Sequence, residues 1–144
     1  MNETKFLTLD HIERICFEYA KSELAHDEPI PPFSSRFPGK LESALASPQR
    51  TFGNKSLYPT LERQAAILFY ELAKLHPFQN GNKRIAVTTL LYFLHKNKKW
   101  LKVDAVELYN FARWVAESNP KLKKETVKAV EKFFETYIVK LSKK

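Results

Sequence analysis

Nine consecutive residues, His76-Pro77-Phe78-Gln79-Asn80-Gly81-Asn82-Lys83-Arg84, combine a titratable base, a turn and two cations. The imidazole of His76 is suited to take a proton from an attacking hydroxyl near neutral pH. Gly81 permits a left-handed backbone and a close approach of the chain to a ligand. A helix opening just after such a turn aims backbone N–H groups and the positive end of its dipole at one spot. Lys83 and Arg84 put two cations at the rim, and a guanidinium grips phosphate oxygens through two parallel N–H bonds. The chemistry implied is a phosphate cradle with a general base beside it. A plain helix–turn–helix connection uses the same residues differently. In it Pro77 and Gly81 only shape the turn, His76 is settled by the helix dipole and Phe78 plugs the core.

Either reading needs helices on both sides. Upstream, Pro59 and Thr60 open a helix whose Leu61, Ala65, Leu68, Leu72 and Leu75 recur on one stripe, and the chain should break at His76-Pro77. Downstream, Asn82 to Asn97 carries apolar residues on more than one face, which predicts a central, buried helix. Thr8 is a plausible N-cap for an earlier helix with Leu9, Ile12, Ile15, Cys16 and Tyr19 inward, ending before Pro29. A loop from His26 to Lys40, then a short helix from Leu41 to Ala46 stopped near Pro48, follow. Thr51, Phe52, Gly53, Asn54, Lys55, Ser56, Leu57 and Tyr58 read as two short extended arms about a Gly-Asn turn. Asp104 with Glu107 resembles a capping box, and Leu108, Phe111, Ala112 and Val115 face inward after it. Asn119-Pro120 opens a terminal helix with a stripe of Val127, Val130, Phe134, Tyr137, Ile138 and Leu141. The sum is an all-α fold with one small β-hairpin-like excursion, a single domain over residues 1–144.

Composition narrows the function classes. The chain has 144 residues and a formal net charge of +8. Residues 1–72 hold 8 Lys/Arg against 10 Asp/Glu, whereas residues 73–144 hold 16 against 6. A basic half attracts anionic partners of several kinds, and most of its lysines read as a solvated face. A lone cysteine, Cys16, excludes an internal disulfide. The N-terminus lacks the apolar run of a signal peptide, and the apolar run Ile85 to Leu94 is too short to span a bilayer, so a soluble cytoplasmic protein is expected. His11, His26, His95 and Cys16 share no metal-ligand spacing. Trp100 and Trp114 read as core or half-core. No nucleic-acid-binding pattern is visible, neither a recognition helix nor an aromatic–basic strand.

The nine-residue segment resembles the signature of the Fic/Doc superfamily, H-x-F-x-[D/E]-G-N-[G/K]-R, and more closely its Doc (death-on-curing) branch, in which N-K-R closes the motif. Leu41 to Ala46, Thr51-Phe52-Gly53 and Leu57-Tyr58-Pro59-Thr60 look like the stretch preceding the motif in Doc-type toxins. The resemblance covers Leu41 to Asn97. It implies a compact Fic/Doc helical bundle in which His76 is the general base and Phe78 anchors the loop. Asn80 stands where most relatives hold Mg²⁺ with a carboxylate. Gly81 and Asn82 would form the anion hole, Lys83 and Arg84 would complete the clamp on the nucleotide, and Thr51 to Tyr58 would be the flap on which a target segment adds a strand.

Two departures bear on the reaction. Lys83 replaces the glycine of AMP-transferring relatives, and Val87 replaces their second arginine. Doc-like relatives share both replacements, bind ATP reversed and phosphorylate elongation factor Tu. By resemblance the expected activity is therefore transfer of the γ-phosphate of ATP, with Mg²⁺, to a Ser or Thr hydroxyl, halting protein synthesis. The expected partners are that target and a cognate antitoxin, because no inhibitory S/T-x-x-x-E-[G/N] string is present. Nucleic acid and membrane are not expected partners. AMP or nucleotidyl transfer is the alternative enzyme reading, and a catalytically idle helical binding module is the alternative of another class.

Overall fold

The computed structural model describes residues 4–17, 32–78 and 81–141. Thr8 sets the first turn. Its hydroxyl accepts from the His11 N–H at 3.3 Å while His11 Nδ1 accepts from the Thr8 N–H at 3.1 Å, so two orphan donors are satisfied reciprocally. The helix so capped, α1 (Leu9–His11), passes into π-wound turns over Ile12–Phe17. The wider winding changes the phase of the apolar stripe. Ile12 is fully buried, but Ile15, expected beside it, is 40% exposed. Tyr19 and the helix end before Pro29 lie outside the described residues, as does the first part of the expected loop, residues 26–31.

Gly39, at φ +80°, turns the chain into α2 (Lys40–Ala46), which buries Leu41, Ala44 and Leu45. A 3-10 turn at Ser47–Gln49 carries Pro48. The hairpin appears where expected, with β1 (Thr51–Phe52) antiparallel to β2 (Lys55–Ser56) and Phe52 opposite Lys55. Gly53 and Asn54 sit at φ +57° and +68°, the left-handed pair that a two-residue type I′ turn requires.

Thr60 then caps α3 (Leu61–Leu75), its hydroxyl accepting from the Arg63 N–H at 3.2 Å. The expected single stripe is too narrow. Every residue from Gln64 to Ala73 is buried, because α2, the two helices that end the chain and the helix following the motif all pack on α3. That following helix, α4 (Asn82–Lys96), is buried round most of its first three turns, as its all-round apolar pattern predicts.

The last third departs more. After α4 come β3 (Lys99–Leu101), α5 (Ala105–Glu117), α6 (Lys123–Tyr137) and β4 (Ile138–Lys140). Asp104 caps α5 through the Val106 N–H at 3.1 Å, and no reciprocal bond from Glu107 completes a box. Asn119-Pro120 opens a 3-10 turn, Pro120–Leu122, and α6 proper begins after it. Ile138 does not extend the terminal helix. It pairs with Leu101 in an antiparallel two-stranded sheet, and the Leu141 N–H donates to the Lys98 carbonyl at 3.1 Å. The β-branched pair Ile138-Val139 suits the extended backbone.

The described residues are thus mostly helical, with two small antiparallel ribbons. One apolar core runs from Leu7 and Ile12 through α2, α3 and α4 to Phe134. Neither tryptophan joins it: Trp100 and Trp114 are 39% and 49% exposed, and Trp114 stacks on Phe111 with centroids 5.5 Å apart. No helix among the described residues is long and apolar enough to cross a membrane.

Candidate active site

His76 ends α3 by adopting φ +49°, ψ +65°, the left-handed position that glycine usually fills. For a residue with a Cβ this backbone costs roughly 1–2 kcal/mol, and the packing that follows must hold it. Pro77 and Phe78 are both buried. The Pro77 carbonyl accepts from the Phe37 N–H at 2.8 Å, and the Phe78 ring lies 5.8 Å from that of Phe33. The segment around Phe33–Phe37, expected only as loop, therefore backs the motif turn.

Asn82 holds the turn from within. Its Oδ1 accepts from the Phe78 N–H at 2.8 Å and its Nδ2 donates to the Phe78 carbonyl at 2.7 Å. Those two backbone partners fix which way the amide points, and they leave Nδ2 3.4 Å from His76 Nδ1. The Asn82 side chain is thus engaged with the loop itself. Gly81, at φ +78°, accepts the Ile85 N–H at its carbonyl at 2.9 Å and starts α4, as expected of it. Gln79 and Asn80 lie outside the described residues.

The two cations of the motif part company. Lys83 is half-buried at the rim and acts electrostatically on His76. Arg84 is only 3% exposed, one residue further round the helix and on its core side. Val87, also 3% exposed, places an apolar group where AMP-transferring relatives were expected to carry a second arginine.

His76 remains accessible to solvent, yet its pKa is lowered from the ordinary histidine value. Partial burial of the ring is the main cause, followed by the charges of Lys83, Lys40 and Lys74. These outweigh the helix C-terminus, which by itself favours imidazolium. Lys40 and Lys74 escaped the reading of the sequence. Lys74 was within sight, two residues before His76, but Lys40 comes from α2 and only folding brings its field to bear. Lys74 Nζ also donates to the carbonyls of Ala116 and Ser118, tying the end of α5 to α3.

The flap stands on a small charged base. The Leu57 N–H donates to the Arg50 carbonyl at 3.0 Å, closing the hairpin below its strands. The buried Glu71 of α3 receives Arg50 at 4.0 Å and Lys123 at 3.6 Å. Thr51 to Leu57 are exposed and Tyr58 is half-buried, and the Phe52 side chain stands 81% exposed on the strand.

Among the described residues no three His, Cys, Asp or Glu converge as a metal-ligating group. The charges acting on His76 are all lysines.

The chain is 41% identical over 66 residues to Toxin Doc of Mycolicibacterium smegmatis, a match covering 46% of the chain. It spans about half, 51%, of the length of that curated relative. No solved structure matches it. The model of the Fic/DOC family matches residues 6–94, which takes in α1, the flap, the His76 turn and nearly all of α4. The chain belongs to the Fic/DOC family.

Proposed function

We propose that the protein is a Doc-type toxin that transfers the γ-phosphate of ATP to a Ser or Thr hydroxyl of a protein target. The observation that carries this reading is a histidine kept neutral by partial burial and three lysines from three helices, facing a helix N-terminus, with apolar Val87 in the next turn of α4. A neutral imidazole is the form that accepts a proton. The target hydroxyl gives its proton to His76, its oxygen attacks the γ-phosphorus, and the bond from phosphorus to the bridging oxygen breaks to release ADP. Lys83 and the first N–H groups of α4 stabilise charge on the phosphoryl oxygens, which is the larger part of the work in such transfers. Arg84, the next residue of α4, would complete the clamp on the nucleotide with Lys83. Val87 leaves no second cation for the arrangement that AMP transfer uses.

Cofactor, target and control extend the same reading. Mg²⁺ would arrive on the phosphate oxygens of ATP, with Asn80 as a neutral ligand at the position where most relatives carry a carboxylate. By the family resemblance the target is elongation factor Tu, the flap receives its segment as an added strand, and a cognate antitoxin silences the toxin in the cytoplasm. The likeness to Toxin Doc of M. smegmatis supports the toxin reading, and with it an antitoxin.

The test is transfer from ATP labelled in parallel at the γ- and α-phosphates, in bacterial lysate with Mg²⁺. Label from γ alone, on a band the size of the elongation factor and lost in His76→Ala, is the expected result. Label from α would replace the proposal with nucleotidyl transfer. Label from neither would leave a binding module.

A further inference from the structure

A groove of about 450 Å³ lies between the exit of the flap and the start of α6. Its apolar lining comes from Leu57, Ile67 and Val127, with Tyr58 at the flap end. Four cations also line it, and they are not equivalent. Arg63 is paired with Glu131 at 3.2 Å, and Lys123 with the buried Glu71 at 3.6 Å. Lys124 and Lys128 are exposed and pair with no carboxylate among the described residues. Four residues apart on one helix, they are neighbours that repel each other. An apolar floor beside two unneutralised, mutually repelling cations is complementary to a carboxylate-bearing chain with an apolar side chain between its acids.

The position says which chain. Leu57 and Tyr58 directly follow β2, and the Leu57 N–H closes the flap at Arg50. A segment added along the edge of β2 would meet the groove at its Leu57 end. Along α3, Ile67 lies on the order of 13 Å from His76 at 1.5 Å per residue, too far to touch the reacting atoms. We propose that this groove is a docking subsite for an acidic, apolar-bearing segment of the protein that carries the modified hydroxyl. The assignment of that occupant rests on the phosphoryl-transfer reading.

Two measurements test it on the full chain. In the first, a fluorescein-labelled peptide rich in Glu and Leu is titrated by anisotropy without ATP, against a counterpart with Lys for Glu. The acidic peptide should bind, more weakly as salt rises. Lys124→Glu with Lys128→Glu should weaken it about tenfold, and His76→Ala should leave it unchanged. Equal binding of the two peptides, or of wild type and the double variant, overturns the proposal. In the second, the double variant should raise KM for the protein target about tenfold at unchanged kcat, the signature of docking remote from the chemistry. Lys124→Ala with Lys128→Ala should give a smaller rise in the same direction. An unchanged KM overturns the substrate as occupant, and if neutralisation by the antitoxin is lost at the same time the antitoxin is the occupant instead. Absence of any transfer by wild type refutes the phosphoryl-transfer reading and is told apart from failed docking, because peptide binding is read without nucleotide.

Discussion

His76 ionises against both the partial burial of its ring and three lysines, and the direction of that shift fixes two pH dependences. Free histidine titrates near about pH 6.5, and the folded residue titrates lower. Above the ordinary value both folded and unfolded chains hold it neutral and its contribution to stability is complete. As pH falls through that value the unfolded chain takes the proton first, so stability declines until the folded residue protonates as well. The acid limb of activity should likewise lie below the ordinary value, since only the neutral ring accepts a proton. An NMR titration of the His76 ring checks the direction, and Lys40→Met should move the midpoint upward by removing one of the three charges; an unmoved midpoint would count against the field from α2. Asn82 makes a separate case. Asn82→Ala strips both partners from the buried Phe78 backbone, a loss of roughly 1–3 kcal/mol by the usual cost of unsatisfied groups, to be read in thermal unfolding. His76, Gly81 and Lys83 could be singled out from their spacing alone. Lys40 could not, because it lies far back in the sequence, and the use of the Asn82 side chain depends on a loop backbone that exists only after folding.

At the scale of elements, the flap is the part most easily changed without disturbing the rest. Its exposed Phe52 meets solvent over 81% of its surface, so Phe52→Ala should alter stability by no more than about 0.5 kcal/mol. Its expected effect is a higher KM for the protein target, with binding of ATP unaffected. Gly53→Ala differs in kind. Nothing lies within 4 Å of the added Cβ, but the backbone there is left-handed at φ +57°. The cost is then conformational, roughly 1 kcal/mol, and it should show as a looser hairpin by hydrogen exchange at Leu57. A hairpin with normal exchange would place the turn's stability elsewhere, in the Arg50–Glu71–Lys123 base. This hairpin was legible because Gly-Asn is a strong turn signal between short arms. The ribbon of β3 and β4 was not, since Phe134, Tyr137, Ile138 and Leu141 also fit a helical period. Only pairing with β3, some forty residues earlier in the chain, chooses the strand.

Over the whole molecule, the candidate site and the core are one packed body. Phe78 of the motif belongs to the same apolar cluster as Phe134 of α6, and α3 connects them. Phe69 is the hinge of that connection. It is fully buried, with its ring 5.6 Å from Phe134 in an edge-on contact and 6.1 Å from Phe111 in a stacked one. Phe111 in turn stacks on Phe133 at 4.2 Å, so a single ring on α3 holds both terminal helices. Phe69→Ala removes the ring and leaves a cavity that such a dense interior does not refill, a loss of roughly 3–5 kcal/mol. For a chain of this size that lowers the melting temperature by about 10–15 °C. The substitution leaves the His76 turn untouched in sequence, and below its melting temperature the variant should keep the pH dependence of wild type. His76→Ala should do the reverse, abolishing transfer at an unchanged melting temperature. Were Phe69→Ala to lose activity at temperatures where it is still fully folded, the core would be setting the geometry of the motif turn as well as its stability, and α3 would be transmitting the change along its length.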